Sequence, residues 1–380
     1  MGVGRKVAIA AMAFGTAVAA AACSSSSSSE SPSAGSSQAA AAATSISVPA
    51  SLAAKAKANP LAPYPSQSNT VATVTIGQSV PTMSFAPLEI AKAMNFFGYL
   101  GVKVNYSTLQ SGTAMQEAVV GGSINIGADA STDVAEMIAK GLPGEAIANV
   151  MPMTLQVCVN KSWAQQHGLS PTQPLKQKVA GLKGATFGIT GPGALSDAAG
   201  RWLVKTYAGI SDPTSISVGS SSLAPSVDAN KIQAFLQSAP TCAEASGGEV
   251  LVNPSEVPQW KNYANEVLFT TKTYASGNAA AVARVATAVD MGDKFIAAHP
   301  QQAIALLEKL YPTQSPSAIA AAFKTGIQPS VAKNPDFTSA MWQNVNSILV
   351  GGGTISSPIS TAPNTSWTNQ YIDDKVATVY

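Results

Sequence analysis

Short runs of β-branched residues alternate with helical periodicities between residues 71 and 144. The runs cover residues 74–77, 102–106 and 124–127, and each is followed by a small polar loop and then by a helical pattern. Strands that alternate with helices of about 10 to 15 residues predict a parallel sheet with crossover helices. Such sheets bind ligands in the crevice at the carboxyl ends of their strands. The three polar loops are therefore candidate binding elements.

Local signals place the first helix and its end. Leu88, Ala91 and Met94 recur at helical spacing and are predicted to face the core. Asn95 stands where this helix should end, and asparagine is second only to glycine at left-handed helix ends. We therefore expect a left-handed cap at Asn95.

The three loops carry hydroxyls, a carboxylate and the free backbone N–H groups of helix starts. Their candidate ligand-binding residues are Ser79, Thr82, Met83, Phe85, Ser111, Gly112, Thr113, Asp129 and Ser131. The free N–H groups favour an anionic or strongly polar group, and Met83 or Phe85 would cover an apolar part of the ligand. Any one hydroxyl or carboxylate is also typical of a helix cap, and Asp133 and Glu136 have the spacing of a capping pair. Both interpretations stay open at this point.

The first 22 residues are typical of a secretory signal. Arg5 and Lys6 precede an apolar run over residues 7–19 and a small-residue cleavage site at 20–22. The sequence Ala-Ala-Ala-Cys at 20–23 resembles a bacterial lipoprotein box, which implies a lipid anchor on Cys23. An ordinary secreted protein with an incidental cysteine is the alternative. Residues 23–69 are rich in Ser, Ala and Pro, so they are predicted to form a flexible tether.

The composition indicates a weakly charged globular protein, with 46% hydrophobic and 11% charged residues. Removal of the signal takes away two basic residues and leaves 20 basic and 20 acidic side chains. Without a basic excess, the electrostatic signature of nucleic-acid binding is missing. No uncharged apolar run of about 18 residues follows the signal, so no other membrane span is predicted. Residues 70–380 are long enough for two lobes.

Cys158 and Cys242 remain once Cys23 is lipidated. In an exported protein two such cysteines indicate a disulfide, although two buried thiols fit the sequence equally. His167 and His299 have no cysteine, histidine or carboxylate neighbours at ligand spacing, so no metal site is predicted. The sequence contains no nucleophile elbow, and neither a catalytic residue nor a cofactor is predicted.

Several segments resemble one family of binding proteins. They are PLEIAKAMNFFGYLGVKV at 87–104, SGTAMQEAVVGGSINIG at 111–127 and Ala-Lys-Gly at 139–141. The family comprises the substrate-binding proteins of ABC importers for nitrate, alkanesulfonate and taurine, and it also includes binders of pyrimidine precursors for thiamine salvage. The order of segments extends the resemblance to residues 71–372. Asn95 and Asn125 replace a glycine and an aspartate that are usual in the family.

The resemblance implies an α/β fold of the type II periplasmic-binding-protein class. Each of two lobes would be a mainly parallel sheet flanked by helices, with the ligand cleft between the lobes. The first lobe would comprise residues 70–153 and 241–380, the second 154–240, with crossings near 153–155 and 238–241. From residue 241 onward the pattern is mostly helical. The second lobe would add a helix-start loop as a ligand clamp, with Gly191, Gly193, Ala194 and Ser196.

The resemblance also implies binding without turnover. The chain would be a monomeric lipoprotein on the outer face of the bacterial cell membrane. It would capture a small organic nutrient by hinge closure and deliver it to the permease and ATPase subunits of an ABC importer. We expect a sulfonate, taurine or nitrate-like ligand, with a pyrimidine-type thiamine precursor as the alternative.

Two other function classes were weighed against importer binding. A ligand-sensing surface receptor could use the same two-lobed module. The related pyrimidine synthases are enzymes, but their cysteine-rich motif and active histidine are not found in this sequence, and their cytosolic location disagrees with the signal at 1–22. We therefore expect a binding protein and not an enzyme.

Overall fold

Two five-stranded sheets organise the protein, each at the centre of one lobe. The computed structural model describes residues 46–329, 331 and 336–377. The predicted signal at 1–22, Cys23 and the tether up to residue 45 lie outside the described residues. Within them the strands are β1 Ala72–Gln78, β2 Val102–Thr108, β3 Ile126–Ala130, β4 Gly144–Pro152, β5 Leu155–Asn160, β6 Phe187–Ile189, β7 Ser215–Ser217, β8 Ala234–Ser238, β9 Gly248–Val252 and β10 Ala264–Thr271.

Helices flank both sheets. In chain order they are α1 Ala50–Ala58, α2 Ala86–Ala93, α3 Phe96–Tyr99, α4 Gly112–Val120, α5 Ser131–Ala139, α6 Lys161–Gln166, α7 Leu175–Ala180, α8 Leu195–Ala208, α9 Leu223–Asp228, α10 Thr241–Glu244, α11 Lys272–Gly277, α12 Ala279–Ala298, α13 Pro300–Leu310, α14 Pro316–Ala322, α15 Ser339–Gly352 and α16 Asp374–Ala377. Short 3₁₀ segments lie at Met83–Phe85, Ser220–Ser222, Pro254–Glu256 and Pro258–Trp260, and a π-helical turn lies at Phe323–Ile327. Among the described residues, no helix has the length and apolar character needed to cross a membrane.

The first sheet has the strand order β2-β1-β3-β10-β4. β1 runs parallel to β2 and β3, whereas β10 is antiparallel to both β3 and β4. Gln78 at the end of β1 lies opposite Thr108 of β2 and Ala128 of β3. The loops after these three strands therefore leave the same edge of the sheet, as predicted. Asn95 adopts a left-handed conformation with φ 57°, which confirms the predicted helix end.

The second sheet has the order β7-β6-β8-β5-β9. β6 runs parallel to β7 and β8, and β5 is antiparallel to β8 and β9. A disulfide joins Cys158 of β5 to Cys242 of α10, with 5.6 Å between the two Cα atoms. It ties the segment that follows β8 to the middle of the sheet.

The chain after residue 241 is mostly helical, as predicted, but it also contains the strands β9 and β10, which were not predicted. Seven of the eight residues of β10 are buried, so the strand lacks the alternation of a half-exposed strand and cannot be told from a buried helix by periodicity. β9 pairs with β5, so the second sheet extends past the predicted boundary at residue 240. The chain returns to the first sheet in residues 253–263 and not at 238–241.

Residues 46–69 fold against the first lobe, which corrects the prediction of a flexible tether over that part of 23–69. The Ile46 N–H donates to Asp373 Oδ2 at 3.0 Å. Tyr64 is buried and packs edge-on against Phe96 and Tyr99, with ring centroids 5.1 and 5.0 Å apart. Ile46, Ala56 and Tyr64 are buried in the first apolar core, so a few side chains supply contacts that the average composition of the segment does not reveal.

Helix α15 lies across both lobes. It packs on α8 of the second lobe and on α5 of the first lobe. A Cβ at Gly352 would lie 2.6 Å from the Ala198 carbonyl oxygen, and one at Gly351 would lie 2.7 Å from Trp202 Cδ1, so these glycines allow α15 and α8 to touch. An apolar cluster continues from the first lobe into the second. The two sheets are therefore held with their loop edges facing each other.

Candidate functional site

A cavity lies between the lobes at the carboxyl ends of the strands, where open α/β sheets bind ligands. Its volume is about 30 Å³. The first lobe lines it with Ser79, Val80, Gly112, Asp129, Ala130, Asp133 and Glu266, and the second lobe with Leu155, Thr190, Leu195, Ser196 and Gln237. Three larger cavities open away from these strand ends: one of about 310 Å³ beside β2, one of about 270 Å³ beside α14, and one of about 550 Å³ between α10 and the start of α14.

Four of the residues predicted from the sequence line this cavity. They are Ser79, Gly112, Asp129 and Ser196. The Ser196 hydroxyl accepts a hydrogen bond from the Thr190 N–H at 3.0 Å, which fixes the start of α8 against the end of β6. The end of β3 and the short segments after β1, β2 and β6 therefore bring the two lobes together at the cavity.

Three further predicted residues meet where the lobes touch. A Cβ at Gly191 of the second lobe would lie 3.7 Å from Ser111 Cβ and 3.8 Å from Thr113 Oγ1 of the first lobe. The Ser111 hydroxyl accepts a hydrogen bond from the Ala114 N–H at 3.3 Å, so it does cap α4. The two loops close the cavity from opposite sides.

Gly193 completes the contact between the lobes. Its φ is 78°, and a Cβ there would lie 2.7 Å from Glu136 Oε2. The Gly193 N–H donates to Asp197 Oδ2 at 3.0 Å, which holds the loop at the start of α8. Glycine is required here both for the backbone conformation and for the approach of α5.

Five predicted residues do not reach the cavity. Met83 and Phe85 lie in the core of the first lobe, because the 3₁₀ segment Met83–Phe85 turns them inward. The Thr82 hydroxyl lies 2.7 Å from the Ser84 hydroxyl, and the Ser131 hydroxyl donates to the Ala264 carbonyl oxygen. Ala194 is buried at the start of α8. These side chains make structural contacts, four of them within the first lobe and Ala194 at the start of α8.

Two acidic residues of the cavity were missed as binding residues. Helix α5 begins at Ser131, with Ala130 in the N-cap position and no side-chain cap, so the predicted capping role of Asp133 was wrong. Its carboxylate instead lies against Gly112. Glu266 lies on β10 and accepts hydrogen bonds from the Ser84 hydroxyl at 2.9 Å and from Asn265 Nδ2 at 3.0 Å. A glutamate inside an otherwise apolar run is the signal that could have marked Glu266.

The three carboxyl groups of the cavity have strongly perturbed acidities. Burial raises the pKa of Asp129 to about 7, although polar contacts with the Ser79 hydroxyl and the Ala130 N–H act in the opposite direction. The pKa of Glu266 is raised to about 8, first by burial and then by the charge of Asp129. The pKa of Asp133 is raised well above its ordinary value by burial and by the neighbouring carboxylates. Such groups can exchange protons near neutral pH.

The cavity contains buried hydrogen-bond acceptors but no basic side chain in its described lining. Asp129 Oδ2 and Asp133 Oδ1 have no hydrogen-bond partner in the part of the chain that the structure describes. The cavity lining includes no lysine, arginine or histidine from the described residues. In this part of the chain, no group of three or more His, Cys, Asp or Glu side chains is arranged to hold a metal ion. The geometry is that of an acceptor-rich binding cavity.

The family model described as "NMT1/THI5 like" matches residues 82–303, more than half of the chain. The chain belongs to this family. The matched range includes every residue of the cavity except Ser79 and Val80. None of the curated protein sequences matches the chain.

Solved structures share the two-lobed α/β fold, which confirms the predicted fold class. A protein from Bordetella bronchiseptica RB50 has 20% identity and TM-score 0.66, covering 80% of this chain and 96% of that chain. The periplasmic aliphatic sulphonate binding protein SsuA from Escherichia coli has 18% identity and TM-score 0.57, covering 79% and 91%. The periplasmic nitrate-binding protein NrtA from Synechocystis PCC 6803 has 16% identity and TM-score 0.59, covering 74% and 82%. At these identities the likeness concerns the fold.

Proposed function

We propose that the protein is the extracytoplasmic solute-binding component of an ABC-type importer. The observation that carries this proposal is the cavity between the lobes, which both sheets line with polar groups at their strand ends. Membership of the NMT1/THI5-like family and the fold shared with sulphonate- and nitrate-binding periplasmic proteins support it. The chain would bind a small organic molecule without turnover and pass it to a membrane permease with its ATPase.

Capture would proceed by hinge closure. The lobes are connected through residues 153–154 and 253–263. A Cβ placed on Gly191 would be within van der Waals contact of Ser111, so the two loops lie as close as expected of a closed form. Opening at the two connections would separate these loops and admit the ligand. The closed form would then present one joined surface to the permease.

Export and anchoring complete the proposal. The signal at 1–22 would be removed, and Cys23 would carry the lipid that holds the protein on the outer face of the bacterial cell membrane. Because the chain packs on the first lobe from Ile46 onward, residues 24–45 would form the spacer. The Cys158–Cys242 disulfide fits an oxidising compartment. The protein would act as a monomer.

The acidic lining bears on the ligand. A sulfonate or nitrate anion, expected from the hydroxyl-rich loops, would be placed beside Asp129, Asp133 and Glu266 without a basic partner in the cavity. Wherever these carboxyl groups are ionised, burial of like charges together is strongly unfavourable. A pyrimidine-type precursor, the second candidate, offers N–H donors and avoids this repulsion.

A binding screen with a closure readout tests the proposal. Chain lacking residues 1–23 should be mixed with sulfonates, nitrate, taurine, aminopyrimidines and primary amines and followed by thermal shift and by small-angle X-ray scattering. A true ligand raises the melting temperature by mass action and favours the compact closed form. If no compound from these classes binds to the folded protein, the proposed function fails.

A further inference from the structure

Three carboxyl groups from three separate elements meet in the cavity between the lobes. Asp129 comes from β3, Asp133 from α5 and Glu266 from β10. Their exposures are 1%, 2% and 4%, so each is more than nine-tenths buried. The fold therefore places three carboxyl groups in the lining of one cavity, although Glu266 is far from Asp129 and Asp133 in the sequence.

Few basic side chains in the described part of the chain are placed to neutralise these carboxyl groups. The cavity lining has no basic side chain among the described residues. Lys140, which follows the helix of Asp133, pairs instead with Glu136 at 2.7 Å, and Arg201 of α8 pairs with Asp197 at 2.6 Å. These cations are therefore engaged outside the cavity.

Two carboxylate oxygen atoms in the cavity lack a hydrogen-bond donor within the described chain, which is a second observation that bears on the ligand. Asp129 Oδ2 and Asp133 Oδ1 are buried and accept no hydrogen bond from the described residues, although both side chains line the cavity. A buried acceptor without a donor is unfavourable by about 1–3 kcal/mol. A proton shared between Asp129 and Asp133 can satisfy these acceptors in the empty cavity, and a donor from a bound ligand can replace that proton.

The size of the cavity limits that donor. A volume of about 30 Å³ accommodates a group the size of one water molecule. A primary ammonium group fits this limit and carries three N–H donors. The remainder of the ligand would lie against the loops that contain Gly112 and Thr190, which line the cavity.

We propose that this cavity binds the protonated amino group of a small organic cation, held by Asp129, Asp133 and Glu266. The inference rests on the proposed function, because it names the chemical class of the captured solute. The ammonium group would neutralise the carboxylates and supply the two missing hydrogen bonds. The hydroxyls of the surrounding loops would contact the rest of the molecule.

Proton release should accompany such binding. In the empty cavity the carboxyl groups of Asp129 and Glu266 are partly protonated near neutral pH, because the pKa of Asp129 is about 7 and that of Glu266 is about 8. A cation favours the ionised carboxylates, so it displaces these protons and binds more tightly as the pH rises. The titratable groups that face this centre are Asp129, Asp133, Glu136, Glu266 and Tyr263.

Calorimetry with matched probes tests the charge preference. The probes are 1-butylamine and 1,4-diaminobutane as cations, 1-butanesulfonate as the anion and 4-aminopyrimidine as the weakly basic heterocycle. We expect binding of an amine, proton release in buffers of different ionisation enthalpy, and affinity that rises from about pH 6 to about pH 8.5. Binding of the sulfonate or the heterocycle while both amines fail would overturn the cation inference and leave the proposed importer function standing. Failure of every probe to bind would count against the cation inference and, with the wider screen also negative, against the proposed function.

Variants separate a ligand contact from a structural role. Asp133→Asn should weaken amine binding by about 10- to 100-fold, because a charge-assisted hydrogen bond is lost. At a pH high enough to ionise these carboxyl groups, the same change should raise the melting temperature of the empty protein, because it removes like-charge repulsion. Glu117→Gln, on the exposed face of α4, is the matched control and should change neither property. Normal amine affinity in both Asp133→Asn and Glu266→Gln would refute the assignment.

Discussion

Gly112 and Asp133 touch across the first-lobe wall of the cavity, and a Cβ at position 112 would overlap Asp133 Oδ2. Gly112 is the first residue of α4, and Asp133 lies in the first turn of α5. The same Cβ would lie 2.9 Å from Asp129 Oδ1. Because Gly112 has no side chain, the carboxylates of Asp129 on β3 and Asp133 on α5 can lie against the start of α4.

Gly112→Ala should therefore displace the carboxylates. Overpacking of this kind destabilises a protein by about 1–3 kcal/mol, and the moved Asp133 would occupy the ligand's place. We expect a lower free energy of unfolding in urea and a loss of ligand binding by calorimetry. Gly277→Ala is the control, since a Cβ there meets nothing within 4 Å. Wild-type stability and affinity in Gly112→Ala would contradict the described geometry.

A second prediction uses the contact between Ser111 and Gly191. The 3.7 Å between Ser111 Cβ and a Cβ at Gly191 suits a disulfide. Ser111→Cys/Gly191→Cys should form a crosslink under mild oxidation, faster with ligand than without it, and the crosslinked protein should release ligand more slowly. Peptide mass spectrometry identifies the bond and shows that Cys158–Cys242 is intact. The two single variants are the controls, and a double variant that never crosslinks would mean that the loops do not meet in solution.

Features of the first sheet edge could be predicted because they depend on short stretches of chain. The loops containing Ser79, Gly112 and Asp129 follow three β-branched runs, and parallel pairing brings such loops to one edge. Asn95 was predictable for a similar reason, since a left-handed helix end is a local choice of a few residues. Local patterns therefore predicted several first-lobe residues that line the cavity.

The acidic character of the site could not be predicted in the same way. Glu266 reaches the cavity only because β10 returns from the second lobe and inserts between β3 and β4. Asp133 has the spacing of a cap, and its role depends on where α5 begins. Met83 and Phe85 were misplaced because a 3₁₀ segment reverses the direction that a simple loop would give them. Long-range pairing and single-residue shifts in helix starts are not visible in the sequence pattern.

A third prediction concerns the folded part of the amino-terminal segment. Tyr64→Ala removes a ring that is 2% exposed and packs against Phe96 and Tyr99. The loss should lower the free energy of unfolding by about 2–4 kcal/mol, measured by urea denaturation, with little effect on ligand affinity because the ring is not part of the cavity lining. Leu61→Ala, at a side chain that is 44% exposed, is the control. Equal stability of Tyr64→Ala and wild type would support the prediction from the sequence that the flexible tether extends to residue 69.

The last prediction follows from the acidity of Glu266. Its pKa is about 8 in the folded protein, whereas the ordinary value of 4.5 applies to the unfolded chain. Between these values the folded state binds more protons, so the stability from this protonated carboxyl is fully present below about pH 4.5 and is lost as the pH rises through about 8. Glu266→Gln abolishes the titration while it keeps a similar shape.

Between about pH 5 and about pH 8.5, the free energy of unfolding of the ligand-free wild type should therefore fall by about 1–3 kcal/mol more than that of Glu266→Gln. Urea denaturation at several pH values measures the difference, and Glu117→Gln, on an exposed side chain, should follow the wild type. Parallel curves for wild type and Glu266→Gln would show that Glu266 is ionised throughout this range. In that case its charge would need a partner within the protein, and the empty cavity would not hold the proton that a cation displaces.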